Sequence, residues 1–425
     1  MDSLYRPTRI LSIPGVKLVR PGRNVEGRRG VFTDECDLLV FVVFGRGSGV
    51  MRRLMVLASA VFVLSQFVIP VYAESPASTE KSAMEIIPYH YGRVVSQGLA
   101  VYQNPGDATP ARLYTSEGTW VSIRDQKVVD GQVWYLIDRG GWVPASSVEL
   151  GRVSEFHGMR VVPGMPVPFG FVVADLLNVR AAPGVSEDNP PIDQLDRYTV
   201  VPILGQEDAH DGKWYRIGQD RWVSARHVRR VAPVMRPKEI GPDERWIEVN
   251  LREQTLAAYE GSRMVYATLI SSGLPRWQTI IGLFRIWVKI KAGKMSGGSL
   301  EEGDYYYLAD VPWTMYFKGG YGLHAAYWHD DFGRPKSHGC VNLSPLDAYW
   351  LFNWATPDLQ PGERALRASP DNPGTWVFIH AGTQPEVESM IQQSWEAFAA
   401  NPTSTTLMRL VYPGGSAWAT KALVK

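Results

Sequence analysis

Cys340 is one of only two cysteines in 425 residues, and it stands in the stretch GRPKSHGCVNLS, 333–344. Three of the chain's eight histidines, His324, His329 and His338, fall within fifteen positions of one another just before it. Three chemistries compete for such a cluster. Cys340 could be a packed apolar side chain with the histidines satisfied by hydrogen bonds, since free cysteine is among the most buried residue types. It could be a zinc ligand, although no C-x-x-C or H-E-x-x-H spacing supports that. It could be a nucleophile. A free thiol has a pKa of about 8.5, so a nucleophilic cysteine needs a base or positive surroundings.

The spacing suits the third reading. His324 ends an apolar run, YGLH, and the chain returns through DDFGRP, where Gly333 and Pro335 shape a turn. That excursion can bring an imidazole to the sulfur. Ser337-His338-Gly339 then supplies a tight bend in front of Cys340, and glycine tolerates the backbone angles such a bend needs. The N–H groups of Gly339 and Cys340 are expected to face a developing oxyanion, each contributing on the order of 10²–10³ in rate.

The elements that must hold these groups are mostly strands. Ile247, Val249 and Leu251 alternate, as do Leu256 and Ala258, and 265–270 follows as a third apolar run. Residues 280–293 read as a fourth strand and 294–304 as an exposed polar loop. YYYLADVPWTMYF and GLHAAYWH are strand-like, and TWVFIHAG closes the region. SPLDAYWLFNWA, 344–355, is the one strong helix, with Ser344 as cap, Pro345 in the first turn and Asp347 near its positive end. A second helix is expected beyond 383.

An internal repeat precedes this region. VWYLIDRGGWVPASSV at 133–148 lines up with KWYRIGQDRWVSARHV at 213–228, and VYQNPG at 101–106 answers NVRAAPG at 178–184. Each unit reads as a small β-module, and the pattern resembles the bacterial SH3-like family. That resemblance implies wall-polymer binding, or packing against a neighbouring enzyme. The recurring tryptophans serve equally well as core. Neither repeat holds a catalytic candidate, so reactivity of Cys340 is expected to survive their removal.

Residues 51–73 have the build of a secretory signal peptide: Arg52 and Arg53, an apolar core from Leu54 to Ile69, and Val71-Tyr72-Ala73 as cleavage site. The apolar run is shorter than the roughly 20 residues of a membrane span; left uncleaved, it would serve as an anchor. Translation is expected to start at Met51, with 1–50 a mis-assigned extension. The mature chain would then begin near Glu74, extracytoplasmic, with a linker over 74–97. The net charge of +1 gives no field for nucleic acid. The aromatic, glycine and proline content favours β-rich domains. The expected layout is mainly β: repeat one at 98–151, repeat two at 172–231, a catalytic domain at 245–382 and a tail over 383–425.

At SHGCVN, preceded by GLH and FGRP, the sequence resembles the YkuD-type L,D-transpeptidases, whose signature is a His followed by [ST]HGC and an Asn or Arg. Thr279, Gly282 and Phe284 fit a second stretch of that family. Two departures are Ala325 where a Gly is usual and Ile280 where a Pro is usual. The resemblance implies a β-rich sandwich-like fold and no metal or organic cofactor. It implies Cys340 as acyl-accepting nucleophile and His324 as base, with the Ala325 carbonyl orienting the ring. Ser337, His338 and Gly339 would shape the oxyanion bend, His338 in a structural role. We assign Asn342, Ala325, Tyr327 and Trp328 to substrate contact. Tyr305, Tyr306, Tyr307 and Trp313 could line the cleft or be core, and His329 is expected to be dispensable or to affect substrate fit only. The implied reaction joins peptidoglycan stem peptides by 3→3 cross-links with loss of D-Ala, with carbapenem-like β-lactams as inhibitors. Alternatives are an L,D-carboxypeptidase, a cysteine wall peptidase, or an inactive wall-binding adaptor.

Overall fold

The computed structural model describes residues 81–382, apart from 116, 117 and 166, all within one compact unit spanning 74–425. The expected signal peptide, the 1–50 extension and the C-terminal helix lie outside the described residues. Among those described, no helix is long and apolar enough to cross a membrane.

Six strands frame the site: β1 (Thr119–Val129), β2 (Val288–Gly297), β3 (Tyr306–Lys318), β4 (Tyr321–Ala325), β5 (Val341–Leu343) and β6 (Ala365–Arg367). β3 is the spine. Along one edge it pairs antiparallel with β2, which pairs onward with β6. Along the other it pairs antiparallel with β4 and, nearer its start, parallel with β1 from the first repeat. β4 and β5 run parallel. Alternation decides the faces: Met315, Phe317, Leu323, Ala325, Val341 and Leu343 point into the largest apolar core. A second sheet carries Arg245–Asn250, Thr255–Glu260 and Arg263–Leu269 in antiparallel order, with Trp376–His380 parallel to the first of these.

The helix Pro345–Trp354 packs on that core through Ala348, Leu351 and Phe352. Its start is built as the sequence suggests. The Ser344 hydroxyl accepts from the Asp347 N–H at 3.1 Å, and Pro345 occupies the first turn. Asp347 does more than cap. It is buried and accepts from the Gly158 N–H at 2.7 Å, the Tyr266 hydroxyl at 2.7 Å, and the hydroxyls of Thr268 and Ser344. Burial still pushes its carboxyl above the usual range.

Several expectations need correcting. The linker over 74–97 carries, in its described part, the short helix Ala83–Ile86 and the strand His90–Val94. Ala83, Ile86, Ile87, Tyr91 and Val94 are buried there, and burial of apolar side chains decides against a solvated linker. Residues 280–293 form two strands, Gly282–Arg285 and the start of β2, because Ile286 turns inward to the core between them. Residues 294–297 belong to β2 rather than to a loop. Neither repeat closes into a barrel among the described residues. The second forms a five-stranded and a three-stranded sheet, whereas the first shares the sheet of β3–β5. Residues 152–165, unassigned from sequence, lend the strand Met159–Arg160 to the second sheet.

Both repeats grip the connection between β4 and β5. Tyr327 is fully buried, stacks on Tyr91 at 3.7 Å and meets Trp120 edge-on at 5.9 Å. At about 25 cal/mol per Å², a ring burying 150–200 Å² contributes roughly 4–5 kcal/mol. Phe332 packs against Phe156 at 5.9 Å. Tyr198 donates to Asp330 at 3.1 Å, Arg197 pairs with Asp331 at 2.8 Å, and Arg229 Nε donates to the Gly333 carbonyl at 2.7 Å. The repeats are therefore walls of the site, against the expectation that they can be removed. A fragment of residues 240–425 is expected to melt without cooperativity and to expose apolar surface. Calorimetry and dye binding check this; a sharp transition at the full chain's temperature would show that the repeats are appendages.

Candidate active site

The registers around Cys340 place the candidate groups on one face. His324 pairs with Asn342 and Leu323 with Val341 across β4–β5, while Gly322 pairs with Tyr316 across β4–β3. Leu323, Val341 and Met315 face the core, so Tyr316, Gly322, His324 and Asn342 face the opposite side. Cys340, two residues before Asn342, enters from the edge of that face. Its Sγ lies 3.4 Å from the Gly320 carbonyl. A Cβ at Gly322 would lie 3.1 Å from both the Met315 carbonyl and the Tyr316 ring, so glycine is what lets β4 and β3 approach closely here.

His324 is buried, and its Nδ1–H donates to the Ala325 carbonyl at 3.2 Å. That bond fixes the tautomer and leaves Nε2 as the basic atom. Burial pulls the imidazole down to about 4, against the smaller pull of the carbonyl the other way. Desolvation pushes the Cys340 thiol up to about 11, only partly opposed by a hydrogen bond from Gly322. Cys340 as a residue is part-exposed, but its sulfur is poorly solvated. The tyrosines around it feel its charge: burial first, and then a Cys340 thiolate, raise Tyr306 and push Tyr316 up to about 12. Burial thus disfavours both the Cys340 thiolate and the His324 imidazolium.

The bend before Cys340 is fixed by side-chain hydroxyls. Ser337 Oγ donates to the Cys340 carbonyl and accepts from the Gly339 N–H at 3.0 Å. The Gly339 N–H is therefore engaged, which corrects the expected pair of oxyanion donors: Cys340 N–H remains the candidate. Thr279 Oγ1 donates to the Gly339 carbonyl at 2.8 Å and accepts from Gly273 at 2.9 Å. Gly339 has φ +119°, and a Cβ there would lie 2.8 Å from the Tyr321 ring. Backbone angle and close approach both demand glycine at this position.

The remaining candidates separate. His338 is held between the rings of Trp277 and Tyr306, with centroids at 4.0 and 4.7 Å. It ties the bend to the segment where Arg276 meets Glu302 and Asp304. Ala325 is buried and offers its carbonyl to His324 rather than contact with a substrate. Tyr327 is core, its hydroxyl donating to the Ala309 carbonyl at 2.7 Å, so it does not line a cleft. Trp328 stays at the site, its ring 5.7 Å from His324. Tyr307 turns to Asp138 of the first repeat at 2.6 Å. Trp313 packs on the helix against Tyr349 and Phe352.

Sequence reasoning missed Tyr316, Tyr321, Trp277 and the role of His329. Tyr316 was readable from its place between the inward-facing Met315 and Phe317. His329 is not a free loop residue. Its Nδ1 accepts from the Asp331 N–H at 3.2 Å, its Nε2 lies 3.0 Å from the Asn342 amide, and its ring packs on Phe332 at 4.9 Å. Burial first, then the Lys336 cation, lowers it to about 4. No group of three or more His, Cys, Asp or Glu suited to a metal lies among the described residues.

Residues 244–382 match the YkuD family, the L,D-transpeptidase catalytic domain. YciB of Bacillus subtilis (strain 168), a provisionally named L,D-transpeptidase, is 30% identical over 120 residues, which cover 25% of this chain. The chain spans 59% of that relative's length. Among solved structures, a cysteine-to-serine variant of the Enterococcus faecium L,D-transpeptidase is 26% identical over 32% of this chain and 50% of its own, with a TM-score of 0.26. L,D-transpeptidase 3 of Mycobacterium tuberculosis, solved with a faropenem-derived adduct, is 17% identical over 44% of this chain and 72% of its own, with a TM-score of 0.27.

Two lowered histidines have a consequence for stability. Unfolded, each titrates near 6.5; folded, both stay neutral down to about 4. Between those values the unfolded chain binds more protons, so stability is full above about pH 6.5 and is lost as pH falls toward 4. The loss is roughly 3 kcal/mol for His324 across that window, less for the partly solvated His329. Urea midpoints at pH 7 and pH 4.5 are expected to differ clearly for the wild type and by less for His329→Gln. Equal slopes for the two proteins would contradict the buried neutral state of His329.

Proposed function

We propose that this protein is a secreted cysteine L,D-transpeptidase acting on peptidoglycan stem peptides. The observation that carries the reading is the shared face of β4 and β5. The His324 tautomer is fixed by the Ala325 carbonyl, with Cys340 at the edge of the same face. The family match over 244–382 supports the reaction class.

The step sequence follows from the two neutral groups. The Cys340 sulfur adds to the carbonyl carbon between the L-centre of the third-position diamino acid and D-Ala. Its proton passes to His324 Nε2 as the S–C bond forms. The oxyanion is met by the Cys340 N–H. The C–N bond then breaks, D-Ala leaves with the proton from His324, and a thioester remains. An amine of a second stem attacks the thioester, gives its proton to His324, and displaces the thiol, leaving a 3→3 cross-link. Water in place of the amine gives the carboxypeptidase outcome. A β-lactam carbonyl meets the same thiol and leaves an acyl adduct. The repeats are proposed to hold wall polymer. The sequence of residues 51–73 supports an extracytoplasmic address.

Incubation with disaccharide-tetrapeptide is expected to give, by mass, a dimer lacking one D-Ala; a tripeptide alone would mark hydrolysis instead. Cys340→Ala should give neither product. His324→Ala should slow acylation by about 10²–10⁴, or roughly 3–5 kcal/mol, at a matched melting temperature. Near wild-type acylation by that variant, with His338→Ala inactive, would exchange the two roles.

A further inference from the structure

His329 and Asn342 show a conflict that resolves in one way. The Asp331 N–H points at His329 Nδ1 at 3.2 Å, so Nδ1 must offer a lone pair. A neutral imidazole then carries its proton on Nε2. The group 3.0 Å from Nε2 is placed as the Asn342 Nδ2, also a donor, and two donors cannot share a hydrogen bond. The other end of the same amide, Oδ1, is buried and has no partner among the described residues. Turning the amide over satisfies both ends of the argument: Oδ1 accepts from His329 Nε2–H, and Nδ2 moves to the unpartnered place. Amide oxygen and nitrogen are told apart by such networks.

We infer that His329 is a positioning residue, which holds the Asn342 side chain by Nε2–H···Oδ1 and so turns the amide N–H donors toward a substrate carbonyl oxygen. Three further observations bear on this. Asn342 is the register partner of His324 and shares its face with Cys340's edge of the sheet. Asn342 is 1% exposed, so its unpaired N–H groups find neither water nor protein, and an unmet buried donor favours whatever acceptor enters. His329 is itself fixed, by Asp331 behind it and by the Phe332 ring beside it, within the connection that Phe156, Tyr198 and Arg197 hold. The acceptor of matching chemistry is a peptide amide carbonyl of an extended donor stem. This assignment of the acceptor rests on the transpeptidase reading; the hydrogen bond between His329 and Asn342 does not.

The test has two arms. Two-bond ¹H–¹⁵N correlation on the ¹⁵N-histidine-labelled protein at pH 7, with the His329 signals identified by their loss in His329→Gln, reports the tautomer. The Nε2–H form is expected; the Nδ1–H form or an imidazolium overturns the inference. In the second arm, His329→Leu and Asn342→Ala are each expected to raise the KM for a tetrapeptide donor roughly tenfold, the loss of one buried hydrogen bond, with kcat little changed. The double variant should be no worse than either single one, and His329→Gln, which can still donate, should recover most of the loss. Independent, multiplying losses would overturn the pairing. Failure of the transpeptidase reading is distinguishable: the wild type would then form no Cys340 adduct, while the tautomer measurement would stand.

Discussion

Strands β4 and β5 run parallel, and a parallel pair cannot be closed by a tight turn. The chain must leave the sheet after Ala325 and come back to it at Val341. That single constraint creates the fifteen-residue connection 326–340, and most of the surrounding structure exists to hold it. Tyr91 and the first repeat's Trp120 bury Tyr327, the second repeat holds Asp330, Asp331 and Gly333, and the 152–165 segment covers Phe332. Hydroxyls of Ser337 and Thr279 then set the final bend. A loop this long would otherwise sample many conformations, each separating His324 from Cys340.

The electrostatics follow from the same packing. Because the walls exclude water, the charged forms of the thiol and of the nearby imidazoles are disfavoured together. What remains is geometry: one imidazole with its tautomer fixed by the Ala325 carbonyl, and a cysteine at the edge of the same face behind a bend held by hydroxyls.

Much of this was legible in the sequence. The helix start at Ser344-Pro345 and the strands around Ile247 and Leu256 follow from local patterns, and the structure forms them. His324, the Ala325 carbonyl and the bend at Ser337-His338-Gly339 stand out in the sequence, and the geometry brings those groups onto one face or its edge. What failed was long-range. Nothing local says that Tyr91 stacks on Tyr327 or that β1 extends the sheet of β3. Tyr327 looked like a cleft residue because aromatics in core and cleft have the same composition. The partner of His329, Asn342, is not legible in the sequence because only strand register brings the two together. The Gly339 N–H looked free because a serine two residues back can engage it only once the bend is made.

The joint between β1 and β3 bears on how the chain reaches its folded state. The Tyr91 hydroxyl bonds to the Asp310 carbonyl across 219 residues, and Ser122 reaches the Asp310 carboxylate across 188. Loop closure over such distances is entropically slow, and contacts of this range put topology in control of folding speed. The first repeat cannot finish its outer edge while β3 is still being synthesised or delivered. The start of β1, at Thr119 and Trp120, waits with one edge unpaired for a partner from the last third of the molecule. Order of emergence and order of assembly therefore run in opposite directions here, and the newly made chain carries an interval of exposed strand edge, the state most open to capture by chaperones or to aggregation.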